Sequence, residues 1–547
     1  MSWASFKNTP VVDILEYFNI VNISEIHNIP AMNVELHDEA PVLDYISAKS
    51  RLNHSPVEYS IDSESKDIDS KIVEKPVNTD PYLVEWNCPD DPDYPKNWST
   101  ARKSLVVFEI MLLTCVCYMG SSIYTPGEDG IRKEFHVGHV TATLNLSLYI
   151  LGYGIGPLFF SPLSELSKVG RQPIYIITFV MFFVFNIGMA TVHNIGGLIV
   201  MRFISGILCS PPLATGGATL GDIIDPEMLP VLIGMWSVGT MVAPILAPLL
   251  GASMVVAKGW RWIFWLMTFF SAFTFIFLFL FFQETSHKTI LSRRARRLRK
   301  QTGDDKYYTK YDREDEAMDF KTLSRNTLVR PFEMIAKEPI ILAFDLYSGV
   351  AYGAFYLFFE SFPIVFVEVY HFTLIELGLS YLGFCVGCVL AYLILGIFQF
   401  TFIKKRFENN TFVPEHLLVV LLFVFWAFPA SLFLFGWAAS THWIVPIIAQ
   451  VLFVICCWNL FQVTFAYLAL CFPDYVASVF AGNGLFRAGF ACSFPLFGRA
   501  MYNNLAIKGY PVGWGSTIVG FVALALSVVP FVLYKYGSVL RAKSRYT

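Results

Sequence analysis

The run Arg293-Arg294-Ala295-Arg296-Arg297-Leu298-Arg299-Lys300 divides this chain. It stands early in a charged stretch, residues 284–338, with six long apolar segments before it and six after. The segments cover approximately 105–125, 140–160, 174–192, 196–218, 231–254, 262–282, 340–362, 376–400, 416–436, 443–470, 476–499 and 513–535. A helix of about 20 mostly apolar residues crosses the hydrocarbon core. The expected fold class is therefore an all-α membrane protein, with twelve transmembrane helices in two six-helix bundles. Two such bundles with a hydrophilic joint are the plan of a carrier, whose halves rock around a central site.

Composition agrees. Of the 547 residues, 55% are hydrophobic and 15% charged, against about 25% charged in an ordinary soluble chain. The charge divides the chain into an acidic, mostly disordered tail (1–104), a first bundle (105–283), a basic central loop (284–338), a second bundle (339–535) and a short tail (536–547). The net charge of −3 averages over these blocks, and no basic surface with a nucleic-acid module is present. Of ten cysteines only Cys88 lies well outside a span, so no disulfide framework is implied. Cys385 and Cys388 share an apolar helix with Gly383 and Gly387 and read as small residues at a helix contact. No nucleophile–base set, metal-ligand cluster or phosphate loop is found, which argues against an enzyme and against ATP-driven pumping. At the N-terminus, Asp13 and Glu16 interrupt Val11, Val12, Ile14, Leu15 and Phe18. No signal-peptide core forms. The segment reads either as a short amphipathic helix on the membrane or as part of the disordered tail.

Lysine and arginine set the orientation. Lys96, Arg102, Lys103, Lys168, Arg171, the basic run, Lys404, Lys405, Arg406, Lys535, Arg541, Lys543 and Arg545 share the side of the tails. The other side holds Arg132, Lys133, Lys258, Arg261, Arg499 and Lys508. Both tails and the central loop are thus expected in the cytoplasm. The sequons at Asn22, Asn97 and Asn409 fall on that side and the one at Asn145 inside a span, so no N-glycosylation is expected. The basic run reads as a solvated helix that fixes orientation, or as a binder of anionic lipid at about 1 kcal/mol per basic residue.

Ionisable side chains inside spans are costly and mark functional positions by default. Here they are Glu109, Arg202, Asp345, Glu360 and Arg487, with Asp222 just past the end of the fourth span. Arg202 stays charged and suits either a carboxylate or water network tuned during transport, or a fixed structural pair. Arg171 and Asp222 share the tail side and are expected to pair as a latch. On the seventh span Asp345, Tyr352, Tyr356, Phe359 and Glu360 fall on one helical face. Such a face suits an amphiphilic, aromatic or cationic ligand, and equally plain packing. Asn145, Tyr149, Gly152 and Gly156 share a side of the second span, Asn459 and Gln462 lie close on the tenth, and Asn483, Arg487, Phe490 and Phe494 share a side of the eleventh. These read mainly as helix glue, apart from the charge of Arg487. In the fifth span Gly239, Ala243, Ala247 and Gly251 form a small-residue ridge, while Pro244 and Pro248 remove two backbone donors. Gating and plain packing both fit that pattern.

Together these pieces resemble the major facilitator superfamily, and within it the fungal twelve-span drug:proton antiporters. The loop from Pro162-Leu163-Ser164-Glu165 to Gly170-Arg171 is similar to the family's loop 2–3 signature, Arg202 to its fourth-span arginine, and the fifth span to the antiporter signature G-x-x-x-G-P-x-x-G-P, with alanine at 243 and 247. Asp91-Pro92-Asp93-Tyr94-Pro95-Lys96-Asn97-Trp98, Trp260-Arg261-Trp262-Ile263-Phe264-Trp265 and Gln283-Glu284-Thr285 are similar to further fungal hallmarks, the last where Pro-Glu-Thr is usual. Tyr118–Gly127, Val476–Asn483 and Val11–Tyr17 resemble the group of yeast fluconazole-resistance multidrug transporters. The resemblance implies a monomeric, multi-pass plasma-membrane exporter of azoles, benzimidazoles and other lipophilic toxic compounds. It implies inward proton flow as the drive, and no bound cofactor. On this reading Arg202 and Glu360 serve proton coupling. Glu165, Arg171, Asp222, Gly239, Pro244 and Pro248 serve gating, and Asp345, Tyr352, Tyr356, Phe359 and Arg487 contact substrate. A transporter of polyamines or another metabolite, and a nutrient sensor signalling through the acidic tail, are the alternatives.

Overall fold

A chain segment in hydrocarbon must pair its own backbone donors and acceptors, which a helix does locally. The computed structural model describes residues 7–17, 80–225, 228–317 and 325–546, and their regular structure is helical apart from two isolated bridges, Leu83 to Tyr308 and Ile507 to Tyr510. Within the described residues eleven helices are long and apolar enough to cross a membrane. A twelfth, Val476–Leu505, has the length but carries Asn483, Arg487, Arg499 and Asn503. Its polarity is tolerated because it lies against the second and seventh spans.

The first span is Thr100–Ser122, the third Gln172–Thr191, the fifth Leu229–Lys258 and the sixth Arg261–Phe281. The second span is built from His139–Ile155 and Pro157–Glu165, and the fourth from Ile195–Leu208 and Ser210–Ile223. Proline near the head of each second piece removes a donor where the helix is interrupted. The seventh span is Pro339–Phe362 and the tenth Ile444–Cys471. The eighth runs through Leu374–Ser380 and Leu382–Phe398, the ninth through Val419–Val424 and Ala427–Ala438, and the twelfth through Gly513–Leu526 and Val529–Lys543.

The packing repeats itself. In the first half the first span lies on the fifth, the second on the fourth and the third on the sixth; in the second half the seventh lies on the eleventh, the eighth on the tenth and the ninth on the twelfth. Adding six to each partner converts one set into the other, as parallel repeats about an axis along the membrane normal require. Two seams join the halves, second span on eleventh and fifth on eighth, and they exchange under the same operation. The first seam is tight. A methyl group on Gly154 would overlap Ala488 Cβ.

The structure corrects two expectations on the face that carries the termini. The segment 7–17 is neither a membrane-lying helix nor a loose tail. Pro10–Tyr17 is a helix packed on the third and sixth spans, with Val12 buried. Residues 80–104 are also ordered. The intervening stretch, 18–79, with the sequon at Asn22, lies outside the described residues. Nor is the basic run a solvated helix. It lies in His287–Thr302, where Arg294 and Arg297 are buried. Arg294 meets Asp91 at 3.1 Å and Asp93 at 3.0 Å, Arg297 meets Glu16 at 3.0 Å, and Arg293 meets Asp13 at 2.7 Å. The acidic residues of the N-terminal region neutralise these arginines, so these three side chains are engaged with protein and turned away from lipid.

Candidate functional site

Three sites lie along the carrier, one at each face and one between. At the terminal face the loop after the second span turns the chain so that Arg171 heads the third span. Its Nε lies 2.8 Å from Asp222 Oδ2, so the expected ion pair is present. Glu165 is exposed and stands outside the pair, acting on Asp222 through its charge alone. The organising residue here is Glu284, fully buried just after the sixth span. Its carboxylate accepts from the backbone N–H of Arg171 (3.2 Å), Gln172 (3.1 Å), Thr285 (3.0 Å) and Ser286 (3.0 Å). An anion among the unpaired N–H groups of a helix start is stabilised by those donors and by the helix dipole. The Gln172 side chain and the Glu284 amide both donate to the Asn8 carbonyl, at 2.8 and 3.1 Å, and so tie the N-terminal segment in.

Arg202 is buried at the heart of the first half. Its guanidinium donates to three backbone carbonyls, those of Asn145 (2.9 Å), Gly120 (2.7 Å) and Ser121 (3.1 Å), and lies 4.4 Å from the Tyr149 ring centroid. The expected carboxylate partner is not there. A planar fork in place of a point charge explains the choice of arginine: it fastens the fourth span to the first and second. Tyr149 adds to this clamp by donating to the Cys117 carbonyl at 2.8 Å. In the fifth span, Pro248 cannot donate to the Pro244 carbonyl, and Ser122 Oγ of the first span donates to it instead at 2.6 Å. The ridge allows that approach, since a side chain at Gly251 would collide with the Ile123 carbonyl, while Gly239 faces Met111. The fifth span runs unbroken through both prolines.

Between the halves, hydroxyls meet aromatic rings. Tyr153 OH lies 2.7 Å from Tyr352 OH and 3.2 Å from Tyr356 OH, and Ser121 Oγ lies 3.2 Å from Tyr356 OH. The first half supplies Tyr153 and Ser121, the second half the other two. Arg487 sits within 5.4 Å of the ring centroids of Tyr352, Phe461 and Phe465. Phe359 stacks on Tyr381 of the eighth span at 5.2 Å. It belongs to the packing of the second half, as does Asp345, whose Oδ1 accepts from Asn483 Nδ2 at 2.7 Å. The predicted seventh-span face therefore splits. Tyr352 and Tyr356 reach the other half, Asp345 and Phe359 remain in their own, and Glu360 enters a separate cluster.

That cluster lies towards the face opposite the termini. His139 heads the second span and stands between Glu128 of the preceding helix Glu128–Phe135 and Glu360 of the seventh span. Its Nε2 is 2.9 Å from Glu360 Oε2 and its Nδ1 2.6 Å from Glu128 Oε1. Glu109, by contrast, is buried in the first span with no hydrogen-bond partner at either oxygen.

The sequence pointed to Glu360, Tyr352, Tyr356, Arg487 and the Arg171–Asp222 pair. It missed His139, Glu128, Tyr153, Ser121 and the anchoring role of Glu284. A histidine opening an apolar span, eleven positions after a glutamate, was the available signal for the first two. Nothing in the pattern marked Tyr153 above the chain's 26 tyrosines. No group of three or more His, Cys, Asp or Glu able to hold a metal ion occurs among the described residues.

Known proteins add the following. Residues 110–495 match the model of the Major Facilitator Superfamily. Fluconazole resistance protein 1 of Saccharomyces cerevisiae is 59% identical, over 100% of this chain and 99% of its own length. A multidrug transporter of Candida glabrata, FLR1, is 54% identical over 99% of each chain. Among solved structures, the xylose transporter XylE from E. coli, in a partially occluded inward-open conformation, matches 80% of this chain and 98% of its own with a TM-score of 0.55 at 13% identity. At that identity the likeness speaks to the fold alone.

Proposed function

The chain belongs to the major facilitator superfamily, and from that membership we propose that it is a multidrug exporter that moves azoles, benzimidazoles and other lipophilic toxic compounds out of the cell in exchange for protons. The observation that carries this reading is the 59% identity, end to end, with a fluconazole resistance protein. The terminal face is then cytoplasmic, as the lysine and arginine bias argues, and the membrane is the plasma membrane. The protein works as a monomer and needs no bound cofactor, because the proton gradient supplies the drive.

Three structural features support the reading. The inter-half cluster of Tyr153, Tyr352 and Tyr356 beside Arg487 and Phe461 offers ring faces and adaptable hydroxyls, which suit varied planar ligands better than one fixed substrate. An apolar hollow of about 450 Å³ lies against the eleventh span, walled by Leu485, Gly489 and Phe490 of that span, Ile335 of the helix Arg330–Lys337, Leu342 of the seventh span and Leu151 of the second. It gives lipophilic compounds a route from the inner leaflet. Arg202 braces the first half, and Glu360, towards the face opposite the termini, is the carboxylate to which this reading assigns proton exchange with the outside. Of the two acids that motivate the polyamine alternative, Glu360 meets His139, and Asp345 meets Asn483 through one oxygen while its other oxygen is buried without a partner.

The test is efflux of a fluorescent azole from cells lacking other pumps, with and without a collapsed proton gradient. Efflux that needs both this protein and the gradient is the expected result. Gradient-independent efflux would remove antiport, and no efflux of any drug tried would remove the exporter reading.

A further inference from the structure

The cluster of Glu128, His139 and Glu360 joins the two halves, and its geometry constrains its protons. Glu360 is 5% exposed, Glu128 15% and His139 19%. Both ring nitrogens of His139 face a carboxylate oxygen, at 2.9 and 2.6 Å. The Nδ1 contact lies off the hydrogen-bonding axis, and is a close charge contact rather than an aligned bond. A neutral imidazole carries one N–H and one lone pair. Between two carboxylates it would set that lone pair against an oxygen at one of these distances. The observed contacts therefore require one additional proton, held either as an imidazolium between two carboxylates or as one carboxylic acid beside a neutral ring.

The surroundings do not remove this requirement. Thr143 Oγ1 lies 3.3 Å from Glu128 Oε1 and 3.5 Å from His139 Nε2, but it donates at the shorter distance of 3.1 Å to the His139 carbonyl. Arg499 of the eleventh span faces Glu360 but is paired with Glu368 at 3.1 Å. Tyr124 and Tyr381 flank Glu360, and the Tyr124 hydroxyl donates to the Ala142 carbonyl. Along the helix that bears Glu128, Asp129 pairs with Arg132, and Glu134 with Arg261.

We propose that Glu128, His139 and Glu360 form a proton-binding latch, closing the halves on the outer side when it holds the additional proton and releasing them when it loses it. This rests on the orientation and antiport given above, and makes His139 a coupling residue beside Glu360. Only a proton moves, from external water to the cluster and back. A carrier that has released its drug outside would need to take up a proton before it could close and return.

The test measures access to the seam from outside. A cysteine replacing Ser121, next to Tyr356 and beneath the latch, is labelled in intact cells with a membrane-impermeant maleimide; cells without that cysteine give the background. In the otherwise native protein, labelling should rise several-fold from about pH 5 to about pH 9, a window spanning the ordinary imidazole transition. With His139→Gln the carboxylates lose their cation and labelling should be high throughout. With Glu128→Gln the amide donates to one ring nitrogen while the N–H of the other serves Glu360. The contacts then close without the additional proton, and labelling should stay low throughout. A flat native profile, or a Glu128→Gln profile that follows the native one, overturns the latch. If His139→Gln does not reach the surface, Glu128→Gln decides alone. Efflux with and without the gradient is measured in the same cells carrying the native chain. A pH-switched label with gradient-independent efflux would remove antiport and leave the latch.

Discussion

Replacing Arg202 separates a brace from a charge that works only during coupling. The side chain makes three hydrogen bonds to carbonyls of two neighbouring spans and stacks near Tyr149. Polar contacts between transmembrane helices are worth about 0.6 kcal/mol on average and about 1.7 at most. Three of them place the cost of Arg202→Ala at about 2–5 kcal/mol, before any penalty for carbonyls left without donors. Arg202→Lys keeps the charge but reaches fewer of the three positions, and should fall between. The assay is thermal unfolding of the purified protein in detergent, alongside surface expression and drug efflux for each variant. Loss of efflux together with a lowered melting temperature, graded from Arg to Lys to Ala, is expected. An Ala variant that melts with the native protein would refute the brace, whatever its efflux. An Ala variant that is destabilised yet exports at the native rate would refute any part in coupling.

Three further outcomes follow from the packing. Arg297→Ala removes the partner of Glu16 and should cost the N-terminal segment about 1–3 kcal/mol, seen as roughly 5- to 150-fold faster amide exchange across residues 10–17. Acid should act on the same region. Burial pushes the Asp93 carboxyl up, but Lys7 and Arg294 prevail and hold it below its ordinary value; burial likewise opposes, and the hydrogen bonds from Ser292, Ser167 and Thr309 prevail at, Asp312. Both carboxylates therefore stabilise the fold above about pH 4, the ordinary aspartate range, and that contribution is lost as the pH falls through their lowered folded values; exchange in His287–Thr302 should rise there. Asp13, which burial pushes up against Arg293 and Arg297, does not add to the loss. Gly154→Ala places a methyl group on Ala488 Cβ and should force the seam apart, cutting efflux while Thr100–Ser122 and Gln172–Thr191 keep their exchange protection; unchanged efflux would show that the seam yields freely.

What the sequence made legible depends on range. Hydropathy set the twelve spans and the pairing of tails because crossing a membrane is a local property of about 20 residues. The eleventh span was also found, although Arg487 and Asn483 dilute it. The Arg171–Asp222 pair was predictable from topology, since antiparallel spans bring their ends together. The N-terminal contacts were not. Asp13 and Arg293 are separated by 280 positions, and neither composition nor periodicity says that an acidic tail will fold back on a basic helix. The seventh-span face failed differently. A helical wheel places Tyr352, Phe359 and Glu360 on one side, but it cannot say which neighbour each will meet. Nor could it say that Tyr153 and Ser121 would bring the first half into the central hydroxyl cluster.

The placement of charge bears on how such a molecule can move. Arg171 with Asp222, Arg541 with Glu415 and Arg499 with Glu368 each pair within one half. Among the described residues, His139 to Glu360 is the contact between ionisable side chains that joins the two bundles directly. Elsewhere the seams are made of hydroxyls, amides and apolar surfaces: Tyr153 on Tyr352, Gln462 on Ser237, Gly154 on Ala488. Desolvating an ion costs several kcal/mol, and an imperfect partner does not recover it. Ion pairs kept inside each half are spared that cost in every cycle, whereas a seam of hydroxyls and methyl groups can part and re-form cheaply. The contact that must break when the bundles part there is also the one containing an imidazole, a side chain that can carry or shed a proton. A proton can reset its charge before the halves separate, which a lysine or arginine in that place could not do.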